Sequence, residues 1–308
     1  MAVGFMGALS AHYIVRPMNE HSSITELNRK AWPPLLAEMT DPPKALFIRG
    51  ALPDPSIYRY LCVVGSRKFS EYGKAACEKL IAGLAGHAVV IVSGLALGID
   101  AIAHRGALEA GIPTIAFPGY GLADSEIYPQ SHMRLAQEIL HYNGALISEH
   151  RDIGALGEWH FPRRNRIMAG ISHATLIIEA GKKSGTLITA GLALSYDRSV
   201  LVVPGPLFSP NHQGSNALLR DGAQIVTSSD DILEALGLTP SSEQPVQLSF
   251  DNLSTNERTI LSALNPSLSF DDLVRTTGIP TSEVSITVSM MEIKGIVTHR
   301  LGKIERLK

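Results

Sequence analysis

The segment Phe161-Pro162-Arg163-Arg164-Asn165-Arg166 carries three guanidinium groups and an amide with no acid among them. The chain around it is nearly balanced, with 27 Lys+Arg against 29 Asp+Glu and a formal charge of −2. Pro162 suits the first turn of a helix, and the i,i+3 spacing sends Arg163 and Arg166 to one side of it. Arginine forks on such a face bind phosphate bidentately. The Asn165 amide bonds a base edge or caps a neighbouring loop, and Phe161 offers a ring on which a base can stack. The plainer reading is a solvated basic face over a core Phe, with one of the arginines holding a loop carboxylate such as Glu149 or Glu179.

Three glycine-bearing turns offer anion chemistry of a second kind. Val64-Gly65-Ser66-Arg67 joins an apolar run to a helical stretch. There Gly65 permits close backbone approach, Ser66 supplies a hydroxyl and Arg67 a fork, next to the amides of a helix N-terminus; an ordinary turn with one surface Arg fits the same residues. Ser93–Asp100, SGLALGID, either cradles phosphate or lets helix and sheet pack closely. Asp100 and His104 share a helix face at i,i+4, but without a third ligand at suitable spacing the structural reading is preferred to a metal or catalytic one. Glu179–Thr186, EAGKKSGT, looks like a P-loop and fails its test: Leu176 stands where the first Gly is needed, and Lys183 where Ser or Thr must follow Lys182. Ser184, Gly185 and Thr186 still open a helix with amides and hydroxyls suited to holding a phosphate without cleaving it.

Composition narrows the class. Charged residues at 18% and hydrophobic ones at 45% of 308 residues support a sizeable core and exclude global disorder. A polyanion must be met by a local patch, because the whole is not basic. Apolar runs are far shorter than the ~20 residues of a membrane span, and MAVGFMGALSAHYIVRP lacks a basic leader, so neither a membrane anchor nor a signal peptide is expected. Two cysteines, Cys62 and Cys77, suit a reducing cytoplasm and a place in the core. No G-x-S-x-G, H-E-x-x-H, G-x-G-x-x-G or CxxC occurs. Anion-friendly turns without a nucleophile or a metal set point to a binding surface, not to an enzyme, and no cofactor is expected.

The elements that must position these turns are short apolar runs alternating with amphipathic stretches. Strands are expected at 60–64, 88–92, 114–117, 145–148, 174–179, 199–203 and 224–227, and helices at 70–85, 99–110, 129–141 and 186–196. Such alternation predicts an α/β fold, an extended Rossmann-like parallel sheet covered on both faces. Residues 1–54 read as a short N-terminal extension with at most one edge strand, Leu46–Ile48, and 55–237 as the Rossmann-like domain. The Ser/Pro/Gln-rich 238–250 reads as a linker. In 251–308, three helices (256–264, 269–277, 281–294) and two strands (296–300, 303–307) outline a small C-terminal winged-helix-like domain. Its third helix is apolar and poor in basic residues, which suits protein contact better than groove reading.

The ordered blocks Gly65-Ser66-Arg67, Ser93–Leu108, Tyr128-Pro129, Ser148-Glu149, FPRRNRIMAGIS (Phe161–Ser172), Glu179-Ala180, SGTLITAGLAL (Ser184–Leu194), Val203-Pro204-Gly205 and Gly214-Ser215-Asn216 together resemble the DNA-processing protein A family (DprA, also called Smf). The resemblance implies a Rossmann-like domain that binds single-stranded DNA, forms a homodimer and passes the strand to the RecA recombinase in natural transformation. It implies phosphate contacts at Gly65, Ser66 and Arg67 and at Lys182, Ser184, Gly185 and Thr186. The basic strip Arg163, Arg164, Asn165 and Arg166 would lie beside them, with Phe161 near a base pocket. Glu158, Trp159 and His160 stand where members often carry a basic residue, so Trp159 would contribute stacking. The preface is short and without a helical-hairpin pattern, which implies that the N-terminal helical domain members often have is lost or much reduced. The competing class is a Rossmann-like nucleotide (ribosyl) hydrolase of the lysine-decarboxylase-like type. It is disfavoured because Thr189 stands where that turn needs its Glu. A transcription regulator acting through the C-terminal module is a third class.

Overall fold

The computed structural model describes residues 23–151, 160–239, 253–264, 267–293, 296–300 and 302–306. The chain divides into two compact units, 1–240 and 241–308. The expected linker at 238–250 and the first part of the N-terminal extension lie largely outside the described residues.

The first unit is built on a nine-stranded sheet. Its strands are β1 (Thr25–Glu26), β2 (Phe47–Gly50), β3 (Arg59–Val64), β4 (Val89–Ser93), β5 (Thr114–Ala116), β6 (Ala145–Ser148), β7 (Ala174–Ile177), β8 (Ser199–Val202) and β9 (Gln224–Ile225). They lie in the order β1-β2-β6-β5-β4-β3-β7-β8-β9. From β6 to β9 every pairing is parallel; β2 joins β6, and β1 joins β2, antiparallel. The run at 46–48 is therefore not an edge. It belongs to an interior strand, and the two-residue β1 outside it has no sequence pattern of its own because only its partner specifies it.

The helices are α1 (Glu71–Ala82), α2 (Ile99–Glu109), α3 (Met133–His141), α4 (His160–Ile171), α5 (Gly185–Ser195), α6 (Gln213–Arg220) and α7 (Ser229–Ala235). Alternation along β3 shows how both faces are covered. Leu61 and Val63 pack with Cys77 and Ile81 of α1, Ile99 and Ala103 of α2 and Ile232 of α7. Tyr60, Cys62 and Val64 pack with Ile167, Met168 and Ile171 of α4 and Ala190 and Ala193 of α5. Both cysteines are buried in these layers, and burial pushes both thiols well above their ordinary range.

Chain order reverses at β3. The strands β4, β5 and β6 extend to one side of it, and β7, β8 and β9 to the other. The loops after β3 and β7 consequently leave the sheet in opposite directions, opening a crevice at their carboxyl ends, the place where open parallel sheets collect ligands.

The second unit holds α8 (Thr255–Ala263), α9 (Phe270–Thr277) and α10 (Thr281–Ile293) with β10 (Leu268–Ser269), β11 (Val297–Arg300) and β12 (Lys303–Arg306). The expected hairpin of β11 and β12 gains β10 as a third strand, in the order β10-β12-β11. Ser254 and Glu257 close a capping box at the start of α8. Ile260, Leu273, Val284, Val288, Met291 and Ile304 form the core, which leaves Ile286 and Met290 of α10 exposed.

Candidate nucleic-acid interface

A pocket of ≈ 540 Å³ opens at the β3/β7 crevice. Four chain segments line it: Val64–Lys68 after β3, Ala96 and Asp100 around the start of α2, Arg164 and Asn165 of α4, and Gly181 with Lys183–Thr186 after β7. Ile188, Thr189 and Asn211 complete the wall.

Local chemistry fixes each turn. Ser66 Oγ donates to the Lys68 carbonyl at 2.9 Å and accepts from the Lys68 amide at 3.0 Å, so it shapes its own loop. Gly98 (φ +85°) lies so close that a side chain there would meet the Ser66 carbonyl, and would stand 2.7 Å from the Arg67 Cα. A residue with a Cβ is strained there on both counts. Gly65 makes room for Ile99, whose side chain would lie 2.6–2.9 Å from an added Cβ. After β7, Ser184 caps α5 by accepting from the Thr186 amide at 3.2 Å. Gly185 differs from the other two glycines: apart from its chain neighbours and its own helix backbone, no atom of the described residues lies within 4 Å of where its Cβ would be. Its bare backbone faces open space at a helix N-terminus, where a ligand can come close. Thr189 lines the same pocket with a buried hydroxyl that has no hydrogen-bond partner among the described residues.

Glu179, two residues past the end of β7, is fully buried. Its two oxygens accept from the Ser70 amide and from Ser70 Oγ, each at 2.8 Å. This carboxylate ties the β7 loop to the first turn of α1, where a negative charge is favoured by the free amides and helix dipole. His212 Nε2 stands 3.7 Å away.

The arginines of α4 separate into different environments. Arg164 is only 7% exposed. Its Nη1 donates to the carbonyls of Gly94 and Phe117, its Nε donates to Asn165 Oδ1 at 3.1 Å, and it clamps the ends of β4 and β5. Asp100, also buried, accepts from the Gly94 amide at 3.1 Å. Burial raises the Asp100 carboxyl above its ordinary range, an effect the Arg164 charge opposes. Burial likewise pushes Arg164 down to about 10, opposed by Asp100. Arg166 pairs with Glu149 and donates to the Asp41 carbonyl; of the carboxylates considered from the sequence, Glu149 is the one an arginine holds. Arg163 is exposed and lines a separate small hollow with Glu149 and His150. His104 does not face Asp100 as a pair: its Nδ1 lies 2.7 Å from Thr114 Oγ1, and burial pushes the imidazole down to about 3.

The pocket therefore unites Gly65, Ser66, Arg67, Arg164, Asn165, Ser184, Gly185 and Thr186. Lys182, Arg163 and Arg166 do not line it. The side chain of Phe161 and the whole of Trp159 lie outside the described residues. Sequence reasoning passed over Lys68, Lys183 and Asn211. The two lysines were visible as exposed cations flanking the turns, whereas Asn211 arrives from a distant loop, its Nδ2 donating to the Lys68 carbonyl at 3.0 Å.

These features define an α/β unit with a crevice lined by cations and helix-start amides at a topological switch point, and a second, winged-helix unit. The family model for DNA recombination-mediator protein A matches residues 23–237, and that for the DprA winged helix domain matches 244–303. The chain belongs to the DNA recombination-mediator protein A (DprA/Smf) family. It is 43% identical over 206 residues to Protein Smf of Escherichia coli, covering 67% of this chain and 54% of that relative. It is 37% identical over 210 residues to DNA processing protein DprA of Bacillus subtilis, covering 68% and 70%. The chain thus spans about half the length of the first relative and just over two thirds of the second. The X-ray structure of DprA from Streptococcus pneumoniae superposes with a TM-score of 0.64 at 36% identity, covering 70% of this chain and 75% of that one. DNA processing protein A from Helicobacter pylori, a structure described for its single-stranded DNA binding mode, superposes with a TM-score of 0.62 at 30% identity, covering 70% and 96%. Among the described residues no helix is long and apolar enough to cross a membrane.

Proposed function

We propose that the chain binds single-stranded DNA without sequence specificity and promotes RecA loading in natural transformation and recombination, acting in the cytoplasm as a homodimer. The observation that carries the binding is the switch-point pocket. Arg67, Lys68 and Lys183, the capped start of α5 and the open space over Gly185 converge there, a set suited to phosphate and indifferent to base identity. The Helicobacter pylori relative, whose description includes single-stranded DNA binding, supports the same reading. RecA, the homodimer and transformation rest on the family resemblance. The reading includes no chemistry: Asp100, the acid in the pocket, is buried and accepts from the Gly94 amide, so we read it as a structural group that ties the start of α2 to the turn after β4.

The test is fluorescence anisotropy with labelled oligo-dT, a blunt duplex of equal length and a nucleoside monophosphate, over a range of salt. Tighter binding of the single strand is expected, weakening as counterions are released at higher salt, with the monophosphate recovered unchanged. Preference for duplex, or turnover of the monophosphate, overturns the proposal.

A further inference from the structure

One rim of the pocket carries a feature that phosphate binding does not use. Leu207 and Phe208 are the central residues of a turn closed by the Ser209 amide donating to the Pro206 carbonyl at 3.0 Å. Phe208 is 90% exposed. An isolated solvated Phe is unremarkable on a floppy loop, but this loop is held at both ends. Before the turn, Tyr72 Oη donates to the Pro204 carbonyl at 2.7 Å, and Asn216 Nδ2 donates to the Gly205 carbonyl at 3.1 Å. After it, Asn211 donates to the Lys68 carbonyl at 3.0 Å and lines the pocket. Phe208 is three residues from Asn211, at most about 11 Å of chain.

Two more exposed rings stand on the α1 side of the same junction. Phe69 follows the pocket residue Lys68 and is 39% exposed; Tyr72 is 46% exposed. Tyr72 is set edge-on to His212 with ring centroids 5.5 Å apart. The other exposed aromatics among the described residues, Tyr128 and Tyr142, precede and follow α3, which packs on β5 and β6. Exposed Glu71 lies between Phe69 and Tyr72 in sequence. A carboxylate there repels phosphate, which favours a strand path with the backbone beside Arg67, Lys68 and Lys183 and the bases toward the rings.

We infer that Phe208, with Phe69 and Tyr72, forms a base-stacking rim that receives the nucleotides adjoining the phosphate held in the pocket. The inference rests on the proposed single-strand binding and adds to it the residues that grip bases instead of backbone. Stacking on an aromatic ring is tolerant of sequence, because every base has a π-face.

The experiment measures the full chain against oligo-dT and against an abasic oligomer of equal length and charge. Wild type should prefer oligo-dT. Phe208→Ala should weaken oligo-dT binding by at least about fivefold, the low end for loss of one stacked base. It should leave the abasic oligomer and the melting temperature unchanged, and Phe208→Trp should restore oligo-dT affinity. Phe69→Ala should act in the same direction. Equal loss on both oligomers, or oligo-dT binding unchanged in Phe208→Ala, overturns the inference, as does a change confined to oligomeric state, which would assign the rim to protein contact. A wild type that binds neither oligomer refutes single-strand binding itself, a result distinct from any of these.

Discussion

Arg164 lines the pocket yet is buried and bonded to two carbonyls, so its removal is expected to be felt first in stability. In Arg164→Met the Asp100 carboxylate stays buried without its opposing charge, and the carbonyls of Gly94 and Phe117 lose their shared donor. Removing one partner of a buried charge pair costs about 3–5 kcal/mol, and each orphaned carbonyl about 1–3 kcal/mol. These terms overlap, because relaxation and water entry relieve them together, so about 4 kcal/mol is expected. In a unit of this size each kcal/mol moves Tm by roughly 2–4 °C, which gives a fall of about 8–16 °C. The loss should depend on pH with a definite sign. Without Arg164, burial alone acts on Asp100 and its folded pKa rises further above the unfolded value. The native state then binds more protons than the unfolded one between the two values, and stability falls as pH rises through that window. Acidification should therefore narrow the gap to wild type, and adding Asp100→Asn should recover part of it. The assay is thermal melting from mildly acidic to neutral pH, with oligo-dT binding measured well below each Tm. An Arg164→Met protein that melts with wild type and loses only binding refutes the reasoning and makes Arg164 a ligand contact.

Two further outcomes separate binding from stability. Arg67 is exposed on the pocket wall, so Arg67→Ala should keep its Tm. It should lose roughly tenfold or more in oligo-dT affinity, the worth of a charge-assisted bond of ~1.5–3 kcal/mol, with a salt slope shallower by about 0.7; early melting with normal binding would make it structural. Gly185→Ala meets, outside its own helix and chain neighbours, no atom of the described residues within 4 Å and should melt at or slightly above the wild-type temperature; it should still bind oligo-dT several-fold more weakly, and unchanged affinity would show that no ligand backbone approaches there.

The parallel α/β core and the winged-helix outline were legible in the chain because their signals are local: β-branched runs, helical periodicity and caps. The turns at 65–67 and 184–186 were legible for the same reason, each lying where an apolar run meets a helix. Which turns meet was not, because the adjacency of β3 and β7 depends on strand order, and β4, β5 and β6 come between them in sequence. The two residues of β1 carry no pattern, since their pairing with β2 alone defines them. The spacing of Arg163, Arg164 and Arg166 placed them on a helix but could not say what each would face. Packing decided that Arg164 is sealed against Gly94 and Phe117, that Arg166 meets Glu149, and that Arg163 stays exposed. Asn211 reaches Lys68 across 143 residues of sequence. The sequence by itself determines the supply of cations, hydroxyls and small residues; the tertiary fold decides which of those charges reach a ligand, because burial and pairing are properties of what lies across the gap.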